Sequence, residues 1–234
     1  MLPDSKEVIS AVKNAASEMK NSPMFSEVSD TIKGAVISPV KQVSANSERA
    51  DILWAILILL ESAMTAFGLT AFFRRGLFAL FTAFGTDIGY SDYSRSIGEA
   101  GLGALKIFAL QFFCTAAAIF AGIFAASLLT VICKRRTGFF VSANTMTTAF
   151  VLPSIIMAAA GIASMLFIPA AVLLISAAAA SAVILSYIGI QKMSRSDTPV
   201  FWMYIICVSV VIIISTLLER LCIGSLVKNL IVRF

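Results

Sequence analysis

Residues 137–191 read TGFFVSANTMTTAFVLPSIIMAAAGIASMLFIPAAVLLISAAAASAVILSYIGIQ, and none of these 55 residues is Asp, Glu, Lys or Arg. At about 1.5 Å of rise per residue, a single helix of this length would be roughly 80 Å long, whereas the hydrocarbon core of a bilayer is about 30 Å thick. The run is therefore predicted to cross the membrane twice, over residues 145–167 and 170–190. Pro169 lies between the two segments, where its missing N–H and fixed φ favour a break. We interpret the run as a membrane hairpin.

The composition of the whole chain agrees with this interpretation. Charged residues make up 13% of the sequence and hydrophobic residues 59%. A soluble domain usually has about a quarter of its residues charged. The predicted fold class is therefore an all-α integral membrane protein, and its principal partner is the lipid bilayer.

The net charge of +5 does not indicate a nucleic-acid partner. Residues 1–51 contain six basic and seven acidic residues, so the positive surplus lies in the membrane part, where charges mark the ends of spans. Such a bias toward Lys and Arg is what membrane orientation produces. The cysteines lie in or beside apolar segments and form no CxxC pair, which predicts buried thiols and no metal site. They are Cys114, Cys133, Cys207 and Cys222.

Five transmembrane helices are predicted to follow an amphipathic N-terminal tail. The tail covers residues 1–51 and the membrane domain covers residues 52–234. The predicted spans are residues 52–73, 106–133, 145–167, 170–190 and 200–218.

The segments between the spans are assigned from their composition. Residues 77–84 are apolar but too short to cross a bilayer, so they either extend the first helix or form an interfacial piece. Residues 85–103 contain five glycines and are predicted to form an irregular polar loop. The segment that follows residue 218 is predicted to lie at the interface.

Two short amphipathic helices are predicted in the tail. The first covers residues 4–21, and the second has apolar residues at Phe25, Val28, Ile32 and Val36 and ends before Ser38-Pro39. Two interpretations stay open. The tail is an interfacial anchor or a docking surface for a protein partner, or it packs loosely on its own membrane domain.

A candidate polar site inside the membrane consists of Glu61, Gln111 and Pro153. Glu61 lies near the middle of the first span, where a charged side chain costs about 2.5–3.5 kcal/mol on insertion scales. Two interpretations of Glu61 stay open. It acts in transport or in proton transfer, or its carboxyl is protonated or hydrogen-bonded to a Ser, a Thr or Gln111 of a neighbouring helix. Pro153 leaves the carbonyl of Ala149 without its helical donor and predicts a kink, which either opens a cavity or only shapes the bundle.

Small side chains form rows in the second and fourth spans. Ala117, Ala121 and Ala125 recur at every fourth residue, with Gly122 and Ala126 beside them, and residues 176–181 are Ser and Ala. Such rows allow helix backbones to approach closely. We expect them to pack helices within the bundle or between the copies of a homo-oligomer.

Basic residues at the ends of the hairpin predict its orientation. Its outer ends carry Lys134, Arg135, Arg136, Lys192 and Arg195, whereas the turn at residues 167–169 carries no charge. The positive-inside rule places these ends and the N-terminal tail in the cytoplasm, with the protein in the cell membrane and the C-terminus outside. Arg74 and Arg75 then lie on the external side, against the rule.

The sequence contains no histidine. Zinc metalloproteases, Ser-His proteases and His-ligated haem or copper sites each require an imidazole. Asp87, Asp92 and Asp197 all fall in predicted loops, so no pair of aspartates faces each other within the bilayer. We therefore predict that the protein is not an enzyme and that it has no catalytic residue and no cofactor.

The arrangement of the tail and spans resembles that of the bacterial members of the Yip family. The members of this family are five-helix membrane proteins that are similar to Rab-interacting proteins. The similarity covers residues 38–218 and includes the Ser38-Pro39 pair, Gly138-Phe139-Phe140, Leu152-Pro153-Ser154 and Tyr187-Ile188-Gly189. The resemblance implies a role in membrane organisation or trafficking-like processes. The Asp-Leu-Tyr-Gly-Pro signature of eukaryotic members does not occur here, so no site residue is carried over.

Two functional hypotheses follow. The first is a non-enzymatic scaffold or partner-binding component in membrane organisation, which contacts protein partners through the tail. The second is a small channel or transporter that uses Glu61 and a helix kinked at Pro153.

Overall fold

The computed structural model describes residues 22–83, 89–99, 103–132, 138–194 and 200–231. Within these ranges the chain forms helices and no strand. The helices are α1 (Pro23–Ile37), α2 (Pro39–Asn46), α3 (Leu53–Ala83), α4 (Tyr90–Glu99), α5 (Ala104–Ile132), α6 (Phe139–Leu166), α7 (Ile168–Met193) and α8 (Val200–Ile231).

Five of these helices are long and apolar enough to cross a membrane. The spanning segments are Leu53–Ala79, Ala104–Val131, Phe139–Leu166, Ile168–Met193 and Val200–Leu218. The predicted all-α membrane fold with five spanning helices is confirmed. The third spanning helix begins at Phe139, before the predicted residue 145, because residues 142–148, five of which are polar, are buried against neighbouring helices.

The hairpin turns at a single residue. Phe167 has extended backbone angles, and its N–H donates to the carbonyl of Ala163 at 2.8 Å. Pro169 lies in the first turn of α7 and not at the break itself. A proline fits this position because the N–H groups of a first helical turn have no partner within the helix.

Residues 90–99 are helical, so the prediction of an irregular loop over residues 85–103 is wrong there. The rings of Tyr90 and Tyr93 lie 5.1 and 5.2 Å from the ring of Phe78 in α3, and the Tyr93 hydroxyl donates to the carbonyl of Arg74 at 3.1 Å. These contacts outweigh the local preference of Gly and Ser for a loop. The remaining positions, 84–88 and 100–102, lie outside the described residues.

Of three other segments, the first described below matches the sequence prediction and the other two differ from it. Helix α3 continues to Ala83, which makes residues 77–83 an extension of the first spanning helix. The tail contains an additional helix, α2, and its predicted first helix, residues 4–21, lies outside the described residues. Helix α8 continues to Ile231, well beyond the predicted end of the fifth span.

Helix α6 lies at the centre of the bundle. It packs against α3, α5 and α7, and also against the tail helices α1 and α2, whereas α8 packs on α5 and makes few contacts with α7. Of the most apolar part of each helix, 44% is buried in α6 but 11% in α8. The outer helices α7 and α8 therefore present most of their surface to lipid.

Two glycines allow α3 and α6 to cross closely. A Cβ atom on Gly68 would lie 2.1 Å from the carbonyl oxygen of Met157, and one on Gly161 would lie 2.8 Å from the Cα atom of Gly68. No larger residue fits at either position without moving a helix backbone. The sequence analysis did not identify this crossing.

The predicted rows of small side chains differ in how many of their residues are buried. Gly122, Ala125 and Ala126 of α5 are buried, whereas Ala117 is exposed. In residues 177–180 of α7, Ala178 alone is buried. The other three alanines are exposed at the edge of the bundle, so they do not pack inside it, and contact between the copies of a homo-oligomer stays a prediction.

The tail packs on its own membrane domain. Val28 and Ala35 of α1 share an apolar cluster with Leu53, Leu57 and Val151, and Val43 of α2 lies in another cluster with two residues of α6 and α7. Over residues 22–51, this packing corresponds to the second interpretation of the tail. All three of these tail residues are buried, so the packing is tighter than the loose association that the sequence predicted.

A polar network, which we call the tail junction, joins the tail to α3 and α6. Asn144 of α6 accepts from the N–H of Trp54 at 2.9 Å and donates to the Asp51 carboxylate at 2.8 Å and to the carbonyls of Arg49 and Asp51 at 3.2 Å. Its amide therefore uses both its oxygen and its nitrogen. This arrangement satisfies backbone groups around the start of α3.

Two further contacts complete the tail junction. Asn46 donates to the Thr148 hydroxyl at 2.8 Å, and Arg49 pairs with Glu27 and Asp51, each at 2.8 Å. Burial alone would lower the pKa of Arg49, but the hydrogen bond to Glu27 and the charges of Asp51 and Glu27 raise it above its ordinary value. The pairing therefore favours the charged guanidinium, and its contribution to stability is lost as the pH rises from the unfolded pKa of Arg49 through its folded pKa.

Candidate functional site

Glu61 lies deep inside the membrane domain. It follows Leu53, the first residue of α3, by eight positions, which corresponds to about 12 Å along the helix axis. The side chain is 0% exposed, and neither carboxyl oxygen has a hydrogen-bond partner among the described residues. The hydroxyl of the adjacent Ser62 is buried and unpartnered as well. The predicted hydrogen bond from a Ser, a Thr or Gln111 is therefore absent in this part of the chain.

The Glu61 carboxyl borders a cavity of about 260 Å³ between α3, α5, α6, α7 and α8. We call this space the Glu61 cavity. The described residues that line it are Glu61, Thr65, Thr115, Ala118, Ile119, Phe150, Pro153, Ser154, Met157, Ile175, Ala178, Ala179, Ala182 and Val211.

Glu61 is the one ionisable side chain among these lining residues. The remaining polar groups are the hydroxyls of Thr65, Thr115 and Ser154, and the Ser154 hydroxyl donates to the carbonyl of Val151 at 2.8 Å. Across the described ranges, no group of three or more His, Cys, Asp or Glu residues is arranged to hold a metal ion. The cavity therefore offers one acid, a few hydroxyl oxygens and apolar walls.

The structure brings together two of the three residues singled out in the sequence. Glu61 and Pro153 line the same cavity, and α6 continues as a helix through Pro153. Gln111 is buried in α5, 6% exposed, but does not line the cavity. Thr115, one helical turn further along α5, occupies the position that the sequence analysis assigned to Gln111.

The sequence analysis missed the threonines of the cavity. Thr65 follows Glu61 by four residues and therefore lies on the same face of α3. That spacing is a usable signal. The contribution of Thr115 has no such signal, because it depends on how α5 is rotated against α3.

A second space continues the Glu61 cavity between α7 and α8. It measures about 130 Å³ and shares Phe150, Ala182 and Val211 with the first. Helices α7 and α8, which both line this space, make few contacts with each other.

No family model, curated protein or solved structure matches this chain. The resemblance to the Yip family therefore stays a prediction.

Proposed function

We propose that the protein is a small transporter or channel that binds a cation at Glu61 inside the membrane, in exchange for a proton. The observation that supports the proposal is the fully buried Glu61 carboxyl, which has no partner among the described residues and borders a cavity of about 260 Å³. Ionisable residues at membrane depth are costly and are typically found on ion, proton or substrate pathways.

The exchange follows from the charge balance of the cavity. An ionised carboxylate in apolar surroundings needs a counter-charge, so the empty cavity favours the neutral acid. A cation that enters supplies the counter-charge, and the carboxyl then releases its proton. One positive charge enters as one leaves, and the cavity stays electrically neutral.

The cavity walls favour one class of cation. Ala, Ile, Phe, Met and Val side chains cannot replace the hydration shell of Na⁺ or K⁺, which requires several oxygen ligands. An organic ammonium ion with a small apolar body instead gains from contact with these side chains. We therefore expect small alkylammonium ions to be the substrates.

Proteoliposomes provide the test. An imposed gradient of tetraethylammonium is expected to drive proton movement in the opposite direction, recorded by a pH-sensitive dye inside the vesicles. Glu61→Gln keeps the size of the side chain but cannot ionise, so it is expected to abolish the coupled proton signal. Glu48→Gln removes an exposed glutamate from the tail and is the matched control. Equal proton signals from Glu61→Gln and wild type, or no signal from wild type, would refute the proposal.

A scaffold function is the second candidate, favoured by the apolar side chains that the tail leaves exposed. Met24, Phe25, Val36, Ile37 and Val40 are all exposed, Ile37 by 80%. A protein partner in membrane organisation is one way to cover them. The scaffold hypothesis predicts that Ile37→Glu releases a co-purifying protein, and that Glu61→Gln has no effect on its retention.

A further inference from the structure

Two adjacent arginines lie at the end of α3 that is remote from the tail. Arg74 follows Leu53 by 21 residues, which places it about 32 Å along the helix, near the headgroup level of a bilayer whose core starts at Leu53. Arg74 and Arg75 both line a cavity of about 350 Å³ between α3, α4, α5 and the end of α6. We call it the arginine cavity.

The structure holds both guanidinium groups in place. Arg75 donates to the carbonyl of Met165 at 3.1 Å, and its guanidinium carbon lies 4.6 Å from the centre of the Tyr90 ring. Arg74 donates to the hydroxyl of Ser94 at 2.5 Å, while its Nε atom is buried and has no partner among the described residues. The two groups are therefore positioned before any ligand binds.

Among the residues whose side chains the structure describes, neither Arg74 nor Arg75 forms an ion pair with a carboxylate. Tyr93, which packs beside Arg74, adds no negative charge, because burial raises the pKa of its hydroxyl well above the ordinary value. The described residues that line the arginine cavity therefore include two arginines and no carboxylate.

Two additional donors border the same cavity. Thr70 lies one helical turn before Arg74 and is 7% exposed, and its hydroxyl has no partner among the described residues. Ala104 and Leu105 form the first turn of α5, whose N–H groups have no acceptor within the helix. The positive end of the α5 dipole thus lies at the cavity, and Lys106 follows in the same turn.

We propose that the arginine cavity binds a phosphate group, carried by an anionic phospholipid or by a small phosphorylated solute. A phosphate oxygen accepts hydrogen bonds from guanidinium, hydroxyl and backbone N–H groups together, and these are the donors present. Phe67, Leu105 and Phe108 add apolar wall beside them, which suits a lipid headgroup with its attached chains. A bound phosphate also explains why two arginines lie at the end of the bundle where the positive-inside rule disfavours them. This site is independent of the cation exchange proposed for Glu61.

The test compares two sources of phosphate on purified full-length protein. In the first arm, the melting temperature is measured in phosphatidylcholine nanodiscs with and without phosphatidylglycerol. In the second arm, inorganic phosphate is added to nanodiscs of phosphatidylcholine alone. A higher melting temperature with phosphatidylglycerol identifies a lipid ligand, and a higher one with inorganic phosphate identifies a soluble ligand.

Two variants and two controls make the result specific. Arg74→Gln removes a guanidinium group and Thr70→Val removes a hydroxyl group. Each variant is therefore expected to bind the phosphate ligand with an affinity about tenfold lower than that of the wild type. Arg95→Gln removes an exposed charge of α4, and Thr82→Val removes an exposed hydroxyl of α3, both outside the cavity, so neither is expected to change the response. If Arg74→Gln fails to fold, Thr70→Val, which alters no charge, still decides. The proposal is overturned if neither arm raises the wild-type melting temperature, or if the variants respond as the controls do.

Discussion

The tail junction and the Glu61 cavity are two buried polar regions of one bundle, and Asn144 in the first and Glu61 in the second differ in their hydrogen bonding. At the junction, the Asn144 amide has hydrogen bonds to the main chain at Arg49, Asp51 and Trp54. In the cavity, the Glu61 carboxyl has no partner among the described residues. The two side chains lie on adjacent helices of the same bundle.

The difference separates a polar group that stabilises the fold from one that does not. A buried polar group with its hydrogen bonds made stabilises the fold, whereas one without them destabilises it. Asn144 therefore holds the tail and α3 on α6. The unpaired Glu61 carboxyl destabilises the fold. The proposed binding of a cation would account for this cost.

The largest effect is expected when Asn144 is changed to Leu. The N–H of Trp54 loses its acceptor and two carbonyls lose a donor, so the free energy of unfolding should fall by about 3 kcal/mol. Ser142→Ala is the control in the same helix, because the buried Ser142 hydroxyl has no partner among the described residues. Denaturant unfolding in detergent measures both. Equal stabilities would show that the junction does not hold the fold.

Changing Glu61 to Leu should raise the free energy of unfolding, whereas the same change at Asn144 lowers it. Glu61→Leu removes an unpaired acid from apolar surroundings, and the adjacent cavity has room for the new side chain. We expect stability to rise by about 1–2 kcal/mol while the coupled proton signal disappears. Glu48→Leu, at an exposed position, should leave stability nearly unchanged. A loss of stability at Glu61 would mean that the carboxyl has a structural partner.

A smaller loss is expected when the junction loses one hydroxyl. Thr148→Val deprives the Asn46 amide of its acceptor and should cost about 1 kcal/mol. The neighbouring Thr147 donates only to carbonyls of its own helix among the described residues, so Thr147→Val should cost less. The difference between the two melting temperatures isolates the contact with the tail. No difference would exclude Asn46 from the junction.

The smallest effect is expected from the ion pairs of the tail. Arg49→Gln removes contacts with Glu27 and Asp51, but these side chains are partly exposed, so the cost should be about 0.5 kcal/mol. The cost should shrink further at high salt. Lys33→Gln, which affects a more exposed pair, is the control. A cost that does not depend on salt would point to packing by Arg49 and not to its charge.

Much of the fold was predictable from local properties of the chain. Long uncharged runs and their basic ends identify spanning helices because lipid excludes charge and unpaired backbone groups. Helix α4 was missed because its three serines and one glycine favour a loop locally, and the contacts of Tyr90 and Tyr93 with Phe78 override that preference. Pro169 marked the hairpin turn to within two residues.

The site was predictable in part. A single acid in an apolar run is visible in any sequence, so Glu61 could be singled out, but whether it has a partner depends on which side chains the neighbouring helices direct toward it. Gln111 was a reasonable expectation, and the rotation of α5 places Thr115 at the cavity instead. Gly68 and Gly161 were missed because they lie in different helices and meet only where the helices cross.

The sequence by itself determined that this chain is a five-helix membrane protein with one acid at membrane depth, because solvation by lipid acts on each segment separately. Only the tertiary structure decided that Asn144 has its hydrogen bonds, that Glu61 has no partner among the described residues, and that Arg74 and Thr70 share a cavity. Those properties depend on pairs of side chains far apart in the chain, whose distances are set by helix crossing and rotation and leave no pattern within a single segment.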